Sequence, residues 1–527
     1  MFKSLADDIK YPQWATERYK RLDMLDRVLD GTLYDHLEND FYTEETYNGQ
    51  YIPLQKRRPS VNSAFASQIV GVLARKLFTG KHAPNITHDN KEYEKQLKEI
   101  VAQGSVFEKM TTAMYFGSVG SVAVTFRIID NALRLDVWRA KNCYPVFGAA
   151  GEFAALRVCY TINGAEVRSM GFTHDNRGEP FRSDEAYWFL REYNASEEIT
   201  FHPMLEDDWN PVENTWEELN PGIVISHGLG FMPGVWIPNM PGGMGYDGLS
   251  TFGSIVNNII EMDYTISQLG RGIRYSAAPQ LVVIGDNDTD DILRGPTTVL
   301  KLKAAYADDS QKMGGADAKL LEMVGNGTQV GINYIQELRR ITFEALSASV
   351  KKHEMKGTMS GRAMEISDDA FYDLASMFRN TYGDSGLIPL VSKIVVAMGM
   401  TGAANLVVPP EEATKFGLRW PKLYPSTPAD DIQMVESLVM AVQNGLLDAD
   451  IAKSFLYSQM DLEDYRVQTP PQTSEGGATP GTPGVGDEDV LKDDKYVQGG
   501  TIDPRRPGPQ GHMLPRRTVG GKQQTLD

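Results

Sequence analysis

Seven apolar residues in strict heptad register, Phe252, Ile255, Ile259, Met262, Ile266, Leu269 and Ile273, constrain this chain more than any other feature. Alternating spacings of three and four describe a helix of about 24 residues, roughly 36 Å long, with a narrow apolar seam. Such a seam wants a neighbouring helix, because burying each side chain contributes on the order of 1.5 to 3 kcal/mol before entropy is charged. A second helical pattern runs from Thr328 through Val330, Tyr334, Leu338, Ile341, Ala345 and Ala348, and stops in the polar segment KKHEMKGTMSG at 351–361. Between the two helices, PQLVVIG and TTVLKLK read as strands around an acidic turn, Asp286 to Asp291. The order is helix, small β module, helix, polar loop.

The rest of the chain frames this unit. Residues 1–110 read mainly as amphipathic helix, with Leu22, Leu25, Val28 and Leu29 in one segment and Ile69, Val72, Leu73, Lys76 and Leu77 in another. From Gly117 the pattern turns to short β-branched and aromatic runs: SVAVTFRII, LRLDVWRA, YPVFG, ALRVCYTI, YWFLREY, EEITFHP and GIVISHGLGFMPGVWIPN. Strands grouped after helices make residues 1–240 one α+β unit. Beyond the polar loop a third helical region spans Arg362 to Met398, with Phe371, Leu374 and Phe378 on one face and a break expected at Gly383, Gly386 and Pro389. NLVVPP and FGLRWPKL, within 405–424, are strand-like pieces expected to return to the first sheet, and 428–465 is helical again. After Gln468, Gly and Pro supply 19 of the last 60 residues and aromatics almost vanish, so this tail cannot bury a core.

At 527 residues the chain has room for about three or four folded units. No run of eighteen apolar residues offers a membrane span, and the first twenty residues lack the apolar core of a secretory signal, so the expected compartment is a cytoplasm. Cys143 and Cys159 lie in separate apolar strand-like runs and read as buried small hydrophobes rather than a disulfide or zinc pair. A net charge of −18 opposes tight nonspecific binding to free DNA.

Signatures of chemistry fail one by one. Gly243-Met244-Gly245-Tyr246-Asp247-Gly248 matches GxGxxG, yet no parallel βαβ unit surrounds it, and it reads as a flexible hinge feeding the heptad helix. Asp286, Asp288 and Asp290 alternate as in a calcium loop, but Asp291 stands where glycine is needed and Thr297 where a bidentate glutamate is needed. There is no GxxxxGK[ST], HExxH or GxSxG motif, and the eight histidines have no ligand spacing. Neither catalysis nor a metal or cofactor is therefore expected. Lys351, Lys352, His353, Lys356 and Arg362 form the one compact basic group in the middle of this acidic chain; they suit either a helix C-terminus or contact with phosphates.

The order of segments resembles a tailed-bacteriophage portal, the head-to-tail connector, from about residue 50 to 465. YIPLQKRRPSVNSAFASQIVGVLARKLFTGKHAP at 51–84 is similar to its early wing helices, and HGLGFMPGVWIPN at 227–239 to the stretch closing the wing sheet. IRYSAAPQLVVIG at 273–285 resembles the first stem helix entering the clip, INYIQELRRITFEAL at 332–346 the second stem helix, and GTMSGRAMEI at 357–366 the end of the tunnel loop and the start of the long helix behind it. Residues 163–222 look longer than the plain wing pattern.

The resemblance implies a wing at 1–245, a first stem helix at 246–278, a clip at 279–326 and a second stem helix at 327–350. A tunnel loop at 351–361, a long kinked helix returning to the wing at 362–427 and crown helices at 428–467 complete the division, and the Gly/Pro-rich tail at 468–527 has no counterpart in the family. It also implies a ring of usually twelve copies in the virion, at one capsid vertex, passing double-stranded DNA. Implied partners are a terminase, major capsid and scaffold proteins, and tail adaptors, with no membrane. In that picture the seven heptad residues pack the stem, Asp288, Asp290 and Asp291 dock partners at the clip, and Lys351, Lys352, His353, Lys356 and Arg362 face DNA. A phage head-tail adaptor or minor capsid protein is the nearest alternative, and a nucleotide- or metal-dependent enzyme a remoter one.

Overall fold

The computed structural model describes residues 5, 7–175, 177–211, 214, 216, 219–277, 280–284, 317–321, 326–346, 369–403, 408–423 and 428–459. The chain divides into two compact units, Met1–Asp448 and Ala449–Asp527. In the first unit, helix α1 (Glu17–Asp30) starts where the Thr16 side chain accepts the Tyr19 N–H and ends at Gly31, whose φ of 76° turns the chain out of the helix. Short strands β1 (Asn39–Asp40) and β2 (Arg57–Arg58) pair in parallel before α2 (Phe65–Phe78). Next come β3 (Asn85–Thr87), α3 (Lys91–Gln103) and α4 (Val106–Gly117).

Seven strands then follow with one short helix among them: β4 (Ser121–Ile129), β5 (Ala132–Arg139), β6 (Cys143–Phe147), β7 (Phe153–Asn163), α5 (Gly164–Ser169), β8 (Ala186–Tyr193), β9 (Glu197–Phe201) and β10 (Met204–Leu205). They continue in β11 (Pro221–Ser226) and β12 (Gly234–Pro238). These strands form two sheets, β12-β4-β5 and β11-β9-β8-β7-β6 with β10 beside β8. The expected single sheet region is thus split. The run GIVISHGLGFMPGVWIPN serves both sheets, since Gly228 and Gly230, at φ 60° and 77°, turn the chain from β11 towards β12.

Alternation explains how the layers stack. On β4, Val122, Val124 and Phe126 face the helices with Leu133 and Leu135 of β5, while Thr125, Arg127 and Trp138 face the larger sheet. Trp138 lies 6.4 Å from both Tyr160 and Tyr193, and Arg127 pairs with the buried Glu198. The far side of the larger sheet holds its own core of Trp188, Leu190, Phe201, Trp209 and Trp216. Cys143 and Cys159 are both buried and unpaired.

The heptad segment follows as α6 (Val256–Ala277), preceded by a 3₁₀ turn, Gly253–Ile255, so Phe252 and Ile255 stand before the α-helix. Strand β13 (Gln280–Ile284) pairs antiparallel with β14 (Asp317–Leu321); TTVLKLK, expected as the partner strand, lies outside the described residues. Helix α7 (Asn326–Ala345) comes next, then α8 (Asp369–Phe378), a π-helical stretch Arg379–Leu387, and α9 (Ile388–Thr401).

The expected break at Gly383 and Gly386 is therefore a change of helical winding, not an interruption. A Cβ at Gly383 would come within 2.6 Å of Trp420, and one at Gly386 within 2.7 Å of Ile237, so both glycines permit close packing. By length and composition Tyr372–Thr401 could cross a membrane, but 56% of its apolar window is buried inside this fold. Strand β15 (Gly417–Arg419) pairs with β3 instead of returning to the large sheet, because Leu418 joins Ile86 over α3. Helix α10 (Pro428–Gln443) closes the first unit, and α11 (Ala449–Gln459) belongs to the second.

One fold contact carries a pH signature. Glu94 on α3 is raised by burial and pulled down more strongly by hydrogen bonds from Lys98, Lys91 and the His88 N–H, ending at about 2 against an ordinary 4.5. Its folded pKa is depressed, so its stabilisation is present above about 4.5 and disappears as pH falls towards 2. Urea midpoints should show wild type more stable than Glu94→Gln at pH 6, with the gap closing between pH 4.5 and 2. A gap independent of pH would contradict this assignment.

Candidate functional site

The helix pair α6–α7 is the site the sequence points to. The pair is antiparallel: Gly331, early in α7, touches Leu269, late in α6, while Leu346 just past α7 shares a cavity wall with Gly253 and Ser254 at the start of α6. A Cβ at Gly331 would lie 2.4 Å from Leu269 Cδ2, so glycine sets how closely the helices approach.

The seam is not uniform. Phe252 and Ile255 are fully buried, and Ile259 and Met262 nearly so, in the chain's own core; Ile266 and Leu269 are half-buried, and Ile273 is 51% exposed. The seam expected to want a neighbouring helix is covered over its first four residues by the chain's own core. Val256, Ile260 and Tyr264 are buried as well, so the first half of α6 is surrounded by the α+β body and only its second half emerges.

Polar anchors fix that emergence. Asp263, 1% exposed, accepts the Tyr34 hydroxyl at 2.9 Å and the Ser63 N–H at 2.8 Å. Ser267 Oγ donates to the Asp263 carbonyl and accepts the Val61 N–H, and Tyr264 OH donates to the Arg57 carbonyl. Farther along, Arg271 pairs with Glu44 and Arg274 lies over the Tyr42 ring. Residues 42–63 thus brace one side of α6 while α7 covers another. Burial raises the Asp263 pKa, opposed by the bonds from Ser63 and Tyr34. Asp263→Ala should cost about 2–4 kcal/mol, because it strands one buried and one part-buried donor and opens a cavity. Asp263→Asn, which keeps the shape and one acceptor, should cost far less in the same urea titration; equal losses would contradict the anchoring role.

Helix α7 carries two faces where the sequence suggested one. Gly331, Ile335, Leu338 and Thr342 turn inward, with Thr342 fully buried, and Phe343 packs edge-on against Phe65 at 5.1 Å. Val330, Tyr334 and Ile341 form a separate stripe, 67%, 47% and 42% exposed, about 100° round the helix from the inward face. Among the described members of the expected apolar set only Leu338 is drawn inward, on the side where Gly331 meets Leu269 of α6.

The GxGxxG segment is pinned rather than hinged. Gly248 N–H donates to the Gly120 carbonyl, and a Cβ at Gly248 would fall 2.5 Å from the Asn239 nitrogen. Asp247, its side chain 1% exposed, accepts from Arg18 at 2.7 Å and Arg21 at 3.2 Å. Gly243 and Gly248 serve close backbone approach, Gly245 turns the chain at φ 66°, and the acid within the motif is already paired. Beside this loop lies an open apolar cavity of about 710 Å³, bounded by Leu22, Leu249, Leu346 and Leu374. Among the described residues no three His, Cys, Asp or Glu side chains come together as a metal site.

Lys351, Lys352, His353, Lys356 and Arg362, and likewise Asp288, Asp290 and Asp291, lie outside the described residues. The anchors Asp263 and Asp247 escaped sequence reasoning. The available signal for Asp263 was an acid amid Ile259, Ile260, Met262 and Tyr264 on a helix.

No family model matches the chain, and no curated protein matches it. Among solved structures it is similar to a chain in "Virion of native gene transfer agent (GTA) particle", with 11% identity and a TM-score of 0.39 over 86% of this chain and 97% of that one. It is also similar to a chain in "Neck of empty GTA particle computed with C6 symmetry", with 12% identity and a TM-score of 0.37 over 73% and 89% respectively. A chain in "Neck of native GTA particle computed with C12 symmetry" gives 12% identity and a TM-score of 0.34 over 74% and 90%.

Proposed function

We propose that this chain is a structural subunit of a phage-like head-to-tail assembly, specifically the portal ring through which double-stranded DNA is packaged and ejected. The observation carrying this reading is the antiparallel pair α6–α7, which runs into the β13–β14 pair and leaves the Val330–Tyr334–Ile341 stripe uncovered. An apolar stripe that no described residue covers is naturally filled by a neighbouring copy, and head-to-tail contacts that close make a cyclic ring. Twelve copies at −18 each would total about −216, a wall that repels phosphate and lets a duplex slide.

In this reading the segment between β13 and β14, with Asp288, Asp290 and Asp291, docks a terminase and later tail adaptors, and Lys351, Lys352 and Lys356 touch DNA phosphates transiently. Replacing the three lysines by alanine should leave assembly intact while changing packaged length or DNA retention. Normal packaging across a range of salt concentrations would remove them from the channel. The reading as a whole is tested by negative-stain imaging and light scattering of the purified protein, where closed rings are expected and a stable monomer would overturn it. The ring should hydrolyse no ATP, and turnover that co-purifies with it through every column would favour the enzyme alternative.

A further inference from the structure

The larger sheet treats its two edges differently. At the β6 edge Pro145 lacks an N–H, and the Cys143 carbonyl is already taken by Arg18 at 2.9 Å, so further strand pairing is blocked. At the opposite edge all six residues of β11, Pro221 to Ser226, are exposed, including Ile223, Val224 and Ile225 at 44%, 47% and 47%. None of the six is charged, in a chain with a net charge of −18.

The His227 N–H donates to the Ser196 carbonyl, which sets the ladder's alternation. With Ile225 opposite Glu198 and Ile223 opposite Thr200, residues 223 and 225 bond to β9, while Val224 and Ser226 turn their N–H and C=O to the open edge. The register irregularity at Gly222 ends this usable edge.

We propose that β11 pairs antiparallel with β11 of a second copy, about a two-fold axis at Ile225. In this register Val224 of each copy exchanges both backbone bonds with Ser226 of the other, and the two Ile225 side chains meet across the axis as a non-hydrogen-bonded pair. Other faces of a −18 chain repel their own kind; an uncharged strand does not, and salt strengthens the contact by screening the remainder. Because β6 is blocked, one copy's β11 cannot continue the sheet through its neighbour's other edge, which leaves the self-pairing arrangement. The contact is small, so the association depends on concentration. It goes beyond the ring reading, since two-fold pairing joins assemblies to one another and adds nothing to closure within one.

Ile225→Cys tests the axis directly, because a non-hydrogen-bonded antiparallel pair falls within disulfide range and both native cysteines are buried. Mild oxidation should link Ile225→Cys chains pairwise, well above an Asn48→Cys control at an exposed turn. Sedimentation over a concentration series should show wild type associating further than Val224→Pro, which loses an outward N–H that β9 does not use. The expected weakening is about tenfold or more in dissociation constant. Ser226→Lys, which leaves the backbone intact, should behave the same way, with the basic assembly's mass unchanged in both variants. Cross-linking no higher than the control, or identical sedimentation of wild type and both variants, overturns the proposal.

Discussion

Asp247→Ala is expected to lower the free energy of unfolding by about 3–5 kcal/mol, the range for breaking a buried ion pair from one side. The carboxylate is 1% exposed and accepts from Arg18 Nε at 2.7 Å, Arg18 Nη2 at 2.9 Å and Arg21 at 3.2 Å. Arg18 also donates to the Cys143 and Ala140 carbonyls and lies over the Tyr246 ring at 4.8 Å, so one guanidinium joins α1, the β5–β6 corner and the loop before α6. Removing the acid leaves that cation four-fifths buried without its counter-charge, whereas Arg18→Lys keeps the charge and loses the fork that reaches three partners. Urea titrations at constant m should rank Asp247→Ala as the larger loss and Arg18→Lys as a clear but smaller one. A loss below about 1 kcal/mol for Asp247→Ala would mean that Arg18 is held by the carbonyls alone.

What the sequence revealed and what it concealed follow from the range of the interactions. Helical and strand periodicity are local, and the strands from Ser121 to Tyr193 lie where their β-branched runs begin and end. The heptad was equally legible, but periodicity reports which side chains want cover and not who supplies it. Phe252, Ile255, Ile259 and Met262 are covered by residues distant in sequence, and exposed apolar positions remain at Ile273, at the far end of α6, and along the stripe on α7. Gly243 and Gly248 admit neighbouring backbone, Gly383 the Trp420 ring and Gly386 the Ile237 side chain, while Gly245 supplies a left-handed turn at φ 66°; in sequence the two groups imitate something else, a phosphate loop in one case and a helix break in the other. Arg18 and Asp247 stand 229 positions apart, and Tyr34 and Asp263 the same distance, so neither pair has any local signal.

The relocation of the uncovered stripe changes which mutation tests assembly. Ile259→Asp would place a charge in this chain's own core and report folding, not association. Val330→Asp combined with Ile341→Asp changes only exposed positions, where substitutions usually shift stability by about 0.5 kcal/mol or less, so melting should stay close to wild type. If the chain forms the proposed ring, closure should nevertheless be lost, because each subunit contact would have to desolvate two carboxylates at a cost of several kcal/mol, repeated round the ring. Lysine at the same two positions separates the causes. Desolvation penalises either sign, so the lysine pair should also fail to assemble, whereas rings formed by the lysine variant and not by the aspartate one would point to repulsion within a −18 chain. Light scattering on the three proteins distinguishes these results, and rings of normal mass from the aspartate pair would remove Val330, Tyr334 and Ile341 from the subunit interface altogether.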